Sequence, residues 1–183
     1  MLRAPGVLRM SDDQVSTDDA WPLVESALKQ ALGEMIAMRE REGKHLAKDL
    51  IKRLKTVREA VRKIRQIQPE VMKKYRQALH ERVQRAGIEL QLDDERLVKE
   101  VIFFAEKCDI TEELTRLESH FAQCAHHLRR PEPVGRTLEF VCQEIGRELN
   151  TVGAKANDSD ISQWVVTCKS EMEKIREQIQ NIE

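Results

Sequence analysis

The chain has 183 residues, a formal net charge of −1, 34% charged and 4% aromatic residues, and only 7 Gly and 5 Pro. That length buries a real core in one domain, or one domain plus an arm, and the composition points to helices with long solvated faces. The balanced charge excludes a global field that gathers nucleic acid, so any such binding must come from local patches. No apolar run approaches the ~18 residues of a membrane-spanning helix.

Residues 1–17 read as an irregular arm, because Pro5-Gly6 and the polar run Ser11 to Ser16 carry no periodicity. The opening stretch is too short and interrupted for a signal peptide. Thr17 or Asp18 can cap a helix with Pro22 near its first turn. From Trp21 to Ile64 apolar residues recur at spacings of three and four, which predicts a helix to about Gln68. Gly33 and Gly43 weaken that helix by about 1 kcal/mol each. Pro69 is expected to start a second helix, carrying Val71, Met72, Tyr75, Leu79 and Val83, that folds back on the first and ends at Gly87. Residues 18–92 then form an antiparallel helical arm. Its basic run, Lys52 to Gln66, suits a solvated coiled-coil face or an RNA clamp. The only strand candidate is Ile88 to Leu92.

Residues 93–183 read as a helical bundle. Asp93 or Asp94 caps a helix to about Lys107, and Asp109 and Thr111 cap one over 112–128. In the latter, Leu114, Leu117, Phe121, Ala125 and Leu128 face the core, while Glu113, Arg116, His120 and His127 share a flank. After a Pro/Gly loop, a helix runs to about Gly153, and a last one spans about 160–182. The fold class is all-α: a long antiparallel helical arm plus a helical bundle. Cys108, Cys124, Cys142 and Cys168 lack CxxC spacing and lie on or near apolar stripes, as buried reduced thiols of a cytosolic protein do.

The helix before Gly153 carries the most chemistry. Its apolar face is Leu138, Val141, Cys142, Ile145, Leu149 and Val152. Thr137, Glu144, Glu148 and Thr151 fall along one edge of that face. Arg136, Phe140, Gln143 and Arg147 fall on the far side. Two carboxylates four residues apart beside a core can hold a hard divalent cation, with His120 from the preceding helix as a third donor. Ordinary alternatives stand beside this: Glu144 paired with Arg147, Glu148 solvated, His120 edging the core. Arg116, Arg136, Arg147 and Lys155 can hold phosphates or lock helices together, and an outward Phe140 can stack a base or plug an interface.

The stretch from Pro133 to Asp158 also resembles a family signature. Pro133, Val134, Gly135, Arg136, Leu138, Phe140, Gln143, Glu144, Arg147, Glu148, Asn150, Thr151, Gly153, Lys155, Ala156 and Asp158 match the carboxy-terminal pattern of the bacterial YicC/YloC endoribonucleases, as does the tail Ile175 to Glu183. Asp109 to His120 and Arg41 to Leu50 also fit, while Gly146 departs, standing where the pattern has a polar residue, usually Asn. The resemblance is to the family's carboxy-terminal helical region, with an amino-terminal domain absent, and implies metal-dependent cleavage of single-stranded RNA and a ring-like homo-oligomer, a hexamer. On that implication Glu144, Glu148 and His120 are the catalytic and metal residues for Mn²⁺ or Mg²⁺. Arg116, Arg136, Phe140, Arg147 and Lys155 contact RNA, and Asp109 and Glu113 support the site. The competing expectation is an inactive helical scaffold that oligomerises or binds RNA.

Overall fold

The structure, a computed structural model, describes residues 17–87, 94–130, 132–180 and 182. Five helices account for its architecture, α1 (Thr17–Arg85), α2 (Glu95–Cys108), α3 (Thr111–His127), α4 (Gly135–Lys155) and α5 (Ser159–Ile179), and no strand occurs among the described residues. The all-α class therefore holds. The expectations placed on residues 1–16 and on Ile88 to Leu92 fall outside the described residues. No helix among the described residues is long and apolar enough to cross a membrane.

The chain divides into one compact unit ending at Lys44 and a second from His45 to Glu183. The described part of the first is helical and exposes Trp21, Val24, Leu28, Leu32, Met35 and Met38. In the second, α4 packs between α3 and α5. Leu50, Val57, Val61 and Ile64 of α1 join the same core. Arg53 reaches Glu171 of α5 at 3.1 Å, and Arg58 reaches Glu118 of α3 at 2.7 Å.

The reversal expected at Pro69 is absent, and α1 runs through it. An interior proline removes one helical hydrogen bond and crowds the preceding turn. Here both flanks are anchored: Arg65 donates to the Leu114 carbonyl at 3.3 Å, Gln68 donates to the Thr111 hydroxyl at 3.1 Å, and Val71 is buried. Further on, Tyr75 stacks on Phe104 of α2, ring centroids 3.4 Å apart. Tertiary packing outweighs the local preference for a break. Gly87 sits just past the end of α1, at φ +74°, a conformation open to glycine.

The bundle helices follow their local signals. Asp94 caps α2 by accepting from the Arg96 amide, and Asp158 caps α5 through the Asp160 and Ile161 amides. The apolar face expected for α4 is buried at all six positions. Two details differ: α4 continues past Gly153 to Lys155, and on α3 the buried position is Cys124 rather than Ala125, which is exposed. Leu114, Leu117, Phe121 and Cys124 complete a tighter 3–4 spacing than one that includes Ala125. Gly153 is tolerated because α5 packs close by: a Cβ there would lie 3.3 Å from Val165.

Candidate functional site

The seam between α3 and α4 collects most of the chemistry-bearing residues. Lys155 Nζ lies 2.6 Å from Glu113 Oε1, and Arg116 lies 3.3 Å from Glu148. Moving up α3 while moving down α4 makes the helices antiparallel, with the two rungs carrying opposite polarity. Glu113 and Glu148 are buried, 6% and 5% exposed, which for a carboxylate demands a partner. Arg116 also pairs with Glu112 on its own helix. His120 stands one turn beyond Arg116, half-buried, and its Nδ1 has no hydrogen-bond partner among the described residues. The same is true of Glu113 Oε2.

At the end of the seam, Asp109 accepts the Thr111 amide at 2.9 Å. Hydrogen bonds from the Thr111 hydroxyl and amide, with the attraction of Lys155, hold the Asp109 carboxyl below the usual aspartate range. Lys155 holds its proton more firmly than an ordinary lysine, chiefly through Glu113. Asp109, Glu113 and Lys155 thus form one electrostatic group.

The three-donor metal arrangement is not assembled. Glu148 is held by Arg116, Glu144 is held by Arg147 at 3.4 Å, and no group of three or more His, Cys, Asp or Glu suited to a metal exists among the described residues. Each carboxylate already has a guanidinium as counter-charge. The Glu144–Arg147 pair is the i,i+3 bond given above as the ordinary alternative, but Glu148 is buried rather than solvated. As paired, Glu144, Glu148 and His120 do not form a ready-made metal site among the described residues.

The RNA-contact candidates divide in two. Arg116 and Lys155 belong to the seam. Arg136, Phe140 and Arg147 lie on the solvent side of α4, Phe140 being 61% exposed. Arg136 has no ion-pair partner among the described residues. The sequence reading gave the last helix a span and no role, and so missed that its Lys169 and Arg176 line a groove together with Arg147. It also left unused the spacing of Lys155, seven residues after Glu148, which places the two on one edge.

An antiparallel helical bundle bearing a buried seam of paired charges, an edge imidazole and an outward arginine–aromatic face is the class of protein defined so far. Comparison with known proteins narrows it. A family model described as "Endoribonuclease YicC-like, C-terminal" matches residues 64–183, and one described as "Endoribonuclease YicC-like, N-terminal region" matches residues 1–48. The chain is 37% identical over 184 residues to the probable endoribonuclease YicC of Clostridioides difficile, covering 100% of the chain and 63% of that protein. It is 36% identical over 186 residues to the probable endoribonuclease YicC of Haemophilus influenzae, covering 100% of the chain and 62% of that protein. The chain belongs to the YicC-like endoribonuclease family. It spans less than two thirds of the length of these relatives. The match of residues 1–48 corrects the expectation that only the carboxy-terminal half is represented.

Proposed function

We propose that the chain acts as an endoribonuclease on single-stranded RNA, with the α3/α4 seam as its reacting centre. The observation that carries this is the half-buried His120 one turn from Arg116, on a seam where buried Glu148 and Glu113 hold the cations Arg116 and Lys155. Cleaving a phosphodiester requires proton transfer and stabilisation of charge on the pentavalent phosphorus. His120 would move the proton, with Nδ1 turned inward and Nε2 left to meet substrate. Arg116 and Lys155 would face the phosphate, their positions fixed by Glu148 and Glu113. Phe140 requires an unpaired base to stack on, which favours a single strand.

The resemblance implies Mn²⁺ or Mg²⁺, and the carboxylate–guanidinium pairs argue against a ready-made metal site. They equally favour a second reading, a helical scaffold that binds RNA or oligomerises without cleaving. A homo-oligomer, a hexamer by family resemblance, is part of both readings. The apolar residues exposed along the first part of α1 support it.

The test is cleavage of a labelled single-stranded RNA by the purified chain, by His120→Gln and by Arg116→Gln, each with EDTA and with added Mn²⁺. General acid–base catalysis predicts a loss of about 10²–10⁴-fold in His120→Gln. Equal trace cleavage by all three proteins would mark a contaminant and leave the scaffold reading. Cleavage abolished by EDTA and restored by Mn²⁺ would return a metal role to the carboxylates.

A further inference from the structure

A second feature lies on the other side of α4. A groove of about 490 Å³ runs between α4 and α5, lined by Gln143, Arg147 and Asn150 from one helix and Lys169, Glu173 and Arg176 from the other. Its floor includes Gly146, where an added Cβ would have no described heavy atom within 4 Å. Glycine is a poor residue for the middle of a helix and is not required here by close packing. What it provides is open space. Three of the lining side chains are cationic and one is acidic. Glu173 engages Arg176 at 3.6 Å, and Arg147 engages Glu144 at 3.4 Å, while Lys169 has no ion-pair partner among the described residues.

The groove does not stand alone. Arg147 lines the groove together with Lys169 and Arg176, and Phe140, seven residues before Arg147, lies two turns away on the same face of α4. Cations, amides and an exposed ring therefore follow one another along the same surface. Arg147 belongs both to the groove and to the edge bearing Glu144. Charged groups spaced along a track, with an aromatic platform and amides for base edges, are what an unpaired polynucleotide strand requires.

We infer that the α4/α5 groove, floored by Gly146, binds the phosphate backbone of a single-stranded polynucleotide and leads it over Phe140 and Arg147 toward the α3/α4 seam. This deepens the nuclease reading and rests on it for the direction of the strand.

Binding is read separately from cleavage. The full chain is titrated with a fluorescent 2′-O-methyl single-stranded RNA, which lacks the free 2′-hydroxyl, by anisotropy at several salt concentrations. The variants are Gly146→Ala, Gly146→Glu and Lys169→Gln, with helicity checked by circular dichroism. Gly146→Ala should bind like the parent and report any effect of helix propensity alone. Gly146→Glu sets a carboxylate in open space and should weaken binding about tenfold or more. Lys169→Gln should lower the slope of log K against log salt by about 0.7, the contribution of one neutralised phosphate on a single strand. Equal affinities and slopes in all four proteins would overturn the assignment, as would equal competition by polyglutamate at matched charge. If the parent binds through the groove but cleaves no labelled RNA, the groove stands and the nuclease reading falls. If Gly146→Glu binds and cleaves like the parent, the groove falls and the nuclease reading stands.

Discussion

Replacing Lys155 by Met removes the cation that faces Glu113 across the seam. Glu113 is 6% exposed, and Lys155 is its hydrogen-bond partner at 2.6 Å. Stripping one member from a fully buried ion pair costs about 3–5 kcal/mol, because the charge left behind stays desolvated. The Lys155 side chain is 39% exposed, so water already screens part of the attraction and can reach the carboxylate afterwards. The expected loss is therefore about 2 kcal/mol, or a fall of about 6 °C in thermal midpoint for a unit of this size. Because the folded-state pKa of Lys155 is raised above 10.5, its contribution is complete below that pH and fades as pH climbs through the folded value. The deficit should be flat between about pH 6 and pH 9 and narrow in stronger alkali. Glu113→Met/Lys155→Met, which leaves no lone charge, should recover at least half of it. Calorimetric or circular-dichroism melts decide the matter. An unchanged midpoint in Lys155→Met, or a double variant that is the plain sum of its parts, would refute the coupling.

Gly135→Ala would drive a Cβ into the Ile182 carbonyl oxygen, with the carbonyl carbon at 3.2 Å, and since backbone cannot swing aside like a flexible side chain, a loss of about 1–3 kcal/mol should appear as a lower melting midpoint; a neutral result would contradict the close approach. Asp109→Ala should cost about 1 kcal/mol near neutrality. The lowered pKa of Asp109 means its contribution is present above 3.8 and lost as pH falls through the folded value, so urea midpoints of parent and variant should converge in acid, and parallel curves would be evidence against it. Pro69→Ala should restore a helical hydrogen bond within α1 and raise the midpoint by a few degrees, a gain of about 1 kcal/mol; a drop would mean the flanking anchors need the proline's geometry.

Local order was legible in the chain and long-range register was not. The stripe Leu138 to Val152 could be read because each residue's burial follows from its neighbours three and four positions away. Asp94, one of the two caps the sequence offers there, announced the start of α2 through side-chain chemistry that acts within two residues. Pro69 misled because its fate is set by contacts such as Arg65 with the Leu114 carbonyl, 49 residues apart in sequence. Ala125 and Cys124 differ by one position, a rotation of about 100°, which a loose apolar stripe does not resolve. The pairing of Glu113 with Lys155 depends on how α3 slides along α4, information that neither helix carries alone. Glu144 and Glu148 were placed correctly on one edge, yet their guanidinium partners decided what they do.

Because α4 is packed on one side by α3 and on the other by α5, the amides around Ile145 and Leu149 are sealed until neighbouring helices depart. Their deuterium uptake should consequently run at the rate set by whole-bundle opening, far slower than at frayed helix ends. Both the seam and the groove are built on this slowest-exchanging rod, so ligands would meet surfaces whose spacing persists for as long as the fold itself.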